Sequence, residues 1–240
     1  SENPNPFYEK GVGTRVGETV SGNVWGNGIS ERMKDAYRWL TDYLNSGGND
    51  DYKIYIFGFS RGAYIARVFC WLLSRCGIPD DPNKCEKLCR SFEKKNYKYL
   101  KTNISAGRCF TVDVEMLGVW DTVKSASYDN YNDTVLAPNV KSAYHAMSID
   151  ELRSNFPVLR FRADERVREL WFAGIHSDIG GGYPDDDGLS NITLKWMVEN
   201  AIDHGLDFKN EKIIENPFGI RHDEYNKAKW CLLGKKRRNI

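Results

Sequence analysis

The stretch from Ile54 to Ala66 places one serine between two glycines, at the point where an apolar run gives way to a helical pattern. Its centre, Gly58-Phe59-Ser60-Arg61-Gly62, matches the pattern G-x-S-x-G, in which a strand turns sharply into a helix and lifts the serine clear of the backbone. Such a turn strains the serine backbone, and we expect both glycines to be required because strand and helix approach each other closely there. The motif therefore predicts a nucleophilic Ser60.

The helix predicted to follow Ser60 would also stabilise negative charge. The first N–H groups of a helix have no acceptor within the helix, and they point at any anion bound at its start. The N–H of Arg61 is the first of them, so we expect it to be one donor of an oxyanion hole beside the Ser60 hydroxyl oxygen. The alternative is a turn with a purely structural role, because glycine and serine are also common in ordinary loops.

Length and charge limit the classes of function. The chain has 240 residues, which suits one α/β domain, and we expect a single domain over residues 1–240. Lysine and arginine (34) balance aspartate and glutamate (33), so we expect no nucleic-acid partner, and any contact with a membrane would be local and peripheral. The sequence has no apolar run of about 18 residues and no recognisable signal peptide, so it predicts no membrane-spanning helix.

The sequence offers no pattern for a metal or a cofactor. Six cysteines are too few for a disulfide scaffold and favour reduced thiols in a cytoplasmic setting, while Cys85 and Cys89 lack the second ligand pair of a zinc site. The acidic run Asp185–Asp187 lacks the spacing of a calcium loop, so we expect a solvated turn. Gly26-Asn27-Gly28 has no third glycine at the spacing of a dinucleotide-binding motif.

Hydrophobic periodicity predicts alternating helices and strands. This alternation is typical of a mostly parallel sheet with helices on both faces, the α/β class. The expected helices are 30–44 with Ser30 as its N-cap, one that begins at Arg61, an outer or cap helix within 80–99, part of 140–156, and 190–203 capped by Ser190. The expected strands are 54–58, 112–119 and 170–175, and a polar loop is expected over 124–139.

Two of these strands end in residues that could complete a catalytic triad with Ser60. Asp121 follows the strand over 112–119, and His176 follows the strand over 170–175. Side chains that handle ligands gather at the carboxyl edge of the strands in open α/β sheets, and nucleophile, acid and base occur in the chain order of this architecture. We therefore expect Ser60, Asp121 and His176 to act together as nucleophile, acid and base.

Other residues could take these places. His145 is the rival base, although a packing or capping role is its first interpretation, and Asp178 is an alternative acid that could instead brace its loop. Asp121 itself could be a turn carboxylate at a strand end. The basic cluster Lys235-Lys236-Arg237-Arg238 is expected to be a solvated tail.

Three longer motifs occur together in one order along the chain: Gly58–Tyr64, Gly118–Val123, and Trp171–Phe172 with Gly174–Tyr183. In that order they resemble the motifs of the α/β-hydrolase family once catalogued as DUF2235, the family of the catalytic domain of Tle1-type lipase effectors of bacterial type VI secretion. Gly11-Val12-Gly13-Thr14 and the segment from His145 to Arg153 also resemble family positions. The resemblance therefore extends over most of the chain.

The resemblance implies a serine esterase that acts on ester or phospholipid substrates, with the Ser-Asp-His triad at Ser60, Asp121 and His176. The reduced cysteines favour a cytoplasmic setting unless the protein is exported as an effector. The family's opening strand carries Asp-Gly-Thr, and this tripeptide does not occur here. We therefore expect the chain to be N-terminally incomplete relative to the family and to lack its first strand, together with any oxyanion donor which that segment carries. The alternative is an inactive member that serves as a structural or binding module in a larger assembly.

Overall fold

The computed structural model describes residues 6–8, 24–47, 52–124, 134–209, 212–226 and 234–240. The motif Gly11–Thr14 and residues 125–133 of the expected polar loop lie outside these ranges. The elements in chain order are α1 (Val24–Asn45), β1 (Tyr55–Phe59), α2 (Arg61–Cys76), β2 (Ile78–Pro79), a short 3-10 turn (Pro82–Lys84), α3 (Cys85–Glu93), α4 (Tyr97–Ser105), β3 (Cys109–Phe110), β4 (Val114–Trp120), β5 (Val140–Ser148), β6 (Val167–Phe172), α5 (His176–Gly180) and α6 (Gly188–Asp203).

The centre of the fold is a four-stranded sheet in the order β1-β4-β5-β6, and every neighbouring pair in it is parallel. The short strands β2 and β3 form a separate antiparallel pair. Because the four strands are parallel, their carboxyl ends lie at one edge of the sheet, and the segments that follow them meet there. Ser60, Asp121 and the turn after β5 are among these segments.

Helices cover both faces of the sheet, which confirms the α/β prediction. One buried cluster packs side chains of α1 to α4 against Leu117 and Val119 of β4. Met116, on the opposite face of the same strand, packs with Met197 and Ala201 of α6. This alternation follows from the period of two in a strand, which sends successive side chains to opposite faces of the sheet.

Several predicted boundaries move by a few residues. Helix α1 begins at Val24 and α6 at Gly188, so neither Ser30 nor Ser190 is an N-cap; Asp187 occupies the N-cap position of α6. The region 80–99 forms the short 3-10 turn and two short helices, α3 and α4, in place of one outer helix. The strands over 54–58, 112–119 and 170–175 are present with small shifts as β1, β4 and β6.

The helical prediction for Val140 to Phe156 is wrong, because residues 140–148 form strand β5. Alanine, methionine and lysine in this segment favour a helix when considered alone. However, β5 pairs with a parallel strand on each side, and its residues from 143 to 148 are all buried. A strand covered on both faces has no polar alternation to reveal it, so its tertiary position outweighs its local propensity.

Three further findings concern the described residues. Cys70, Cys76, Cys85, Cys89 and Cys109 are all buried with unbridged thiols. No group of three histidine, cysteine, aspartate or glutamate side chains in the described ranges is arranged to hold a metal ion. No helix in those ranges is both long and apolar enough to cross a membrane.

Candidate active site

Ser60 lies at the sharp turn between β1 and α2, with φ 58° and ψ −124°. A positive φ is rare for a residue with a side chain and stores strain, which the surroundings must hold in place. The Ser60 N–H donates to the Trp120 carbonyl at 2.9 Å, and the Ser60 carbonyl accepts from the Val123 N–H at 3.3 Å. The chain that follows β4 therefore fixes the serine backbone in its strained conformation.

The two glycines of the motif have different roles. A Cβ on Gly58 would lie 2.5 Å from the Gly62 carbonyl oxygen, which is closer than real Cβ contacts come. A Cβ on Gly62 would meet no atom within 4 Å among the described residues. The prediction that close approach requires glycine is therefore right for Gly58 and wrong for Gly62.

His176 joins Ser60 to Asp121. Its Nε2 lies 2.7 Å from the Ser60 Oγ, and its Nδ1 lies 2.6 Å from the Asp121 Oδ2. The ring lies between two aromatic side chains, with centroids 4.6 Å from Phe59 and 5.0 Å from Phe156. These distances place all three polar side chains within the hydrogen-bond reach that nucleophile, base and orienting acid require.

The hydrogen bonds assign a tautomer to the His176 ring. A carboxylate can only accept, so Nδ1 carries the proton and donates it to Asp121. Nε2 then has the lone pair and accepts from the Ser60 hydroxyl. His176 therefore holds its basic nitrogen toward the serine oxygen, in the orientation that proton removal requires.

Asp121 follows β4 with a φ of 40°, and its side chain is fully buried. Burial alone would raise its pKa, but hydrogen bonds from His176 and Arg238, together with the charge of Arg238, hold it well below the usual value for aspartate. The Ser148 N–H also donates to its Oδ1 at 2.9 Å. The carboxylate is therefore kept ionised in a site that excludes water.

Arg238 contradicts the prediction that the basic cluster at 235–238 is a solvated tail. Its side chain is 5% exposed, and its guanidinium donates to both oxygens of Asp121. Nothing in the local sequence indicated this, because Arg238 and Asp121 are 117 positions apart and Arg238 follows three other basic residues. Arg237, its neighbour, is exposed as predicted.

His145 lies on β5, and both of its ring nitrogens are engaged in hydrogen bonds. Nε2 accepts from the Thr122 N–H at 3.1 Å, and Nδ1 lies 3.0 Å from the Glu169 Oε1. Burial lowers the pKa of this fully buried ring, and the hydrogen bond to Glu169 opposes that shift in part. The contacts of His145 thus fix the turn that contains Asp121 and leave no ring nitrogen directed at Ser60.

Asp178, the alternative acid, contacts its own loop and a distant segment. Its Oδ2 accepts from the Ile175 N–H at 2.9 Å, and its Oδ1 lies 2.6 Å from the His222 Nδ1. The structure thus places Asp178 beside the loop of His176, where it connects residues 175 and 222.

Glu151 and Arg153 form a buried pair on the other side of His176. Arg153 donates to both carboxylate oxygens of Glu151, at 2.9 and 2.7 Å, and Glu151 accepts the backbone N–H of His176 at 3.3 Å. Arg153 also lies over the Phe156 ring, with its guanidinium carbon 3.8 Å from the ring centroid. The pair therefore holds both the start of α5 and an aromatic neighbour of the histidine.

Arg61 begins helix α2 directly after Ser60, which is the position expected for an oxyanion donor. Desolvation and the nearby Arg32 charge lower the pKa of its guanidinium. Asp186, in the acidic run that was expected to be a solvated turn, accepts the N–H groups of Gly188 at 2.7 Å and Ile220 at 3.0 Å.

Comparisons with known proteins place these residues in a family. A family model described as "T6SS, Phospholipase effector Tle1-like, catalytic domain" matches residues 2–200. The chain is also similar to the uncharacterized protein YEL023C of Saccharomyces cerevisiae, with 39% identity over 80 residues that cover 27% of this chain and 12% of that protein.

Two solved structures are similar over part of their length. One is an uncharacterized protein from Pseudomonas aeruginosa, with 20% identity, a TM-score of 0.42, and coverage of 80% of this chain and 29% of that one. The other is the Tle1 effector bound to the VgrG spike of the type VI secretion system, with 25% identity, a TM-score of 0.39, and coverage of 67% and 32%. The chain therefore spans less than two thirds of each of these proteins. The family model, by contrast, matches most of the chain, and the protein belongs to the family of Tle1-like phospholipase effector catalytic domains.

Proposed function

We propose that this chain is a serine hydrolase that cleaves carboxylic esters through a triad of Ser60, His176 and Asp121. The observation that carries the proposal is the pair of contacts at the His176 ring, 2.7 Å to the Ser60 Oγ and 2.6 Å to the Asp121 Oδ2. A buried, ionised aspartate on one side of an imidazole and a serine hydroxyl on the other is the arrangement that activates serine for acyl transfer. Family membership supports a lipase or phospholipase type of activity in general.

In the first half of the reaction, the His176 Nε2 takes the hydroxyl proton while the Ser60 Oγ attacks the ester carbonyl carbon. The carbonyl oxygen becomes an anion that the Arg61 N–H and one further donor would stabilise, each donor being worth about 3 kcal/mol of transition-state stabilisation. The imidazolium then returns its proton to the leaving alcohol oxygen, and the acyl group remains on Ser60. Asp121 holds the ring and balances its positive charge, but it stays ionised.

In the second half, a water molecule gives its proton to the His176 Nε2 and attacks the acyl carbon. The bond to the Ser60 Oγ then breaks, the serine recovers its proton, and the carboxylic acid leaves. The substrate that we propose is a lipid ester, a phospholipid in particular, because the family is one of phospholipase effectors. No cofactor is needed, since every proton transfer in the cycle uses His176.

A second candidate is an inactive member of the family that serves as a structural or binding module. It is kept as an alternative because a fold does not by itself establish an activity. The intact contacts among Ser60, His176 and Asp121 favour the enzyme, because a module without catalysis has no need of a strained serine facing a buried His-Asp pair.

The test is the variant Ser60→Ala, with Ser105→Ala as its control because Ser105 is an exposed serine at the end of α4. Hydrolysis of p-nitrophenyl esters should fall by at least about 1,000-fold in Ser60→Ala and labelling by a fluorophosphonate probe should disappear, while the control keeps both. Release of fatty acid from phospholipid vesicles then tests the substrate class. Full labelling of Ser60→Ala would overturn the proposed nucleophile, and a folded wild-type protein that reacts with neither probe nor ester would favour the module.

A further inference from the structure

The guanidinium of Arg238 donates hydrogen bonds to three residues of the candidate site, Asp121, Ser148 and Phe156. Its Nη1 and Nη2 donate to the two oxygens of Asp121, the Nη2 contact being 2.9 Å. The same groups donate to the Ser148 carbonyl at 2.8 Å and the Phe156 carbonyl at 2.9 Å. One guanidinium thus joins the catalytic carboxylate to the end of β5 and to the segment that carries an aromatic neighbour of His176.

The backbone around Arg238 is itself attached to the domain. Lys235 forms an antiparallel bridge with Arg153, and the Lys236 N–H donates to the Leu152 carbonyl at 2.9 Å. This pairing directs the next side chains toward the carboxyl edge of the sheet. Residues 234–238 lie beyond residue 200, where the match to the family model ends.

We propose that Arg238 is a positioning residue of the active site, which holds the Asp121 carboxylate in the orientation that aligns His176 with Ser60. The inference rests on the proposed serine hydrolase. Asp121 needs such support because its side chain is fully buried, where an isolated charge is unfavourable. Its backbone also has a positive φ, which the surrounding contacts must hold. A planar guanidinium that bonds both carboxylate oxygens fixes their direction as well as their charge, which a lysine cannot do.

The contact with Arg238 reaches the imidazole through one shared oxygen. The Asp121 Oδ2 accepts from the Arg238 Nη2 at 2.9 Å and lies 2.6 Å from the His176 Nδ1. Loss of the guanidinium should therefore release the oxygen that orients the ring.

The experiment compares Arg238→Gln, Arg238→Lys and the control Arg237→Gln, which removes the same charge from the exposed neighbouring residue. Both Arg238 variants should lose about 10- to 100-fold in kcat with little change in KM, because the contact is with Asp121 and a small misalignment of a catalytic group is costly. In NMR spectra, the Nδ1 proton of His176 should move upfield in both Arg238 variants, because its acceptor is no longer held in place. The control should match the wild type in both respects.

A purely structural role would lower the melting temperature but leave the kcat of the folded variants and the Nδ1 proton signal of His176 unchanged, which would overturn the proposal. An unchanged or increased kcat would also overturn the proposal, since the Arg238 side chain would then have no effect on the rate or would slow it. If the variants do not fold, NMR of the labelled wild type remains decisive. A downfield Nδ1 proton of His176 with a nuclear Overhauser contact to the Arg238 guanidinium protons is expected, and its absence would reject the shared contact.

These outcomes separate the two proposals. If Ser60→Ala hydrolyses esters as well as the wild type, the proposed triad fails, while the NMR contact still reports whether Arg238 orders Asp121 and His176. If Ser60→Ala is inactive but Arg238→Gln behaves as the wild type, the triad stands and the role of Arg238 fails alone.

Discussion

His145 and His176 carry the same side chain, and their hydrogen bonds give them different chemistry. His176 offers a nitrogen lone pair to a hydroxyl, while His145 uses its lone pair on the Thr122 N–H and its proton on Glu169. Burial keeps the pKa of His145 below its usual value, so the ring has little tendency to accept a further proton. The hydrogen-bond partners, more than residue type, therefore separate the candidate base from its rival.

Substitution of the two histidines should reveal this difference. His176→Ala should lose at least about 1,000-fold in kcat/KM with little loss of stability, because it removes the base. His145→Ala should lower the free energy of unfolding by about 1–3 kcal/mol, since it leaves the buried Thr122 N–H without its acceptor, and should retain measurable esterase activity. Urea unfolding and ester hydrolysis on both variants would check this. If His176→Ala remained active while His145→Ala was stable but inactive, His145 would be the base.

The turn between β1 and α2 positions the Ser60 side chain, and substitution of its two glycines, Gly58 and Gly62, allows a controlled comparison. Gly58→Ala should lower the free energy of unfolding by about 1–3 kcal/mol or more and greatly reduce activity, because the new Cβ would press on the Gly62 carbonyl and open the turn. Gly62→Ala should be neutral or slightly stabilising, because it has room among the described residues and alanine favours a helix by up to about 1 kcal/mol over glycine. Thermal unfolding of the two variants measures the contrast, and equal destabilisation would contradict the geometry of the turn.

The elements also show which parts of the structure could be predicted from the sequence. Ser60, Asp121 and His176 each follow a strand that has a clear apolar signal, so their meeting at one sheet edge follows from parallel topology alone. Strand β5 is the counterexample, because a central strand buried on both faces has no alternation, and its alanine and methionine favour a helix. The contact between Arg238 and Asp121 could not be predicted either. It depends on the long-range pairing of Lys235 with Arg153, and the basic residues before Arg238 look like a solvated tail.

Among the described residues beyond position 200, Arg238 and His222 both contact segments at the carboxyl edge of the sheet. The His222 Nδ1 lies 2.6 Å from the Asp178 Oδ1, and its ring stacks on Tyr183 with 3.6 Å between centroids. Burial would lower the pKa of His222, but hydrogen bonds to Asp178 and to Asp185 outweigh it and raise the pKa above the usual value for histidine. The segment 212–226 is thus held against α5, the helix that His176 begins, by an ion pair that depends on pH.

The sign of that dependence follows from the raised pKa. The contact contributes fully at pH values below the unfolded pKa of about 6.5 and is lost as the pH rises through the higher folded value. Hydrogen exchange of residues 212–226 should therefore be slower, relative to the intrinsic rate, at pH 6 than at pH 8.5. In His222→Asn the protection should be low at both pH values, because asparagine carries no charge to pair with Asp178. Equal protection of the wild type at the two pH values would mean that the neutral ring and its stacking on Tyr183 hold the segment without the ion pair.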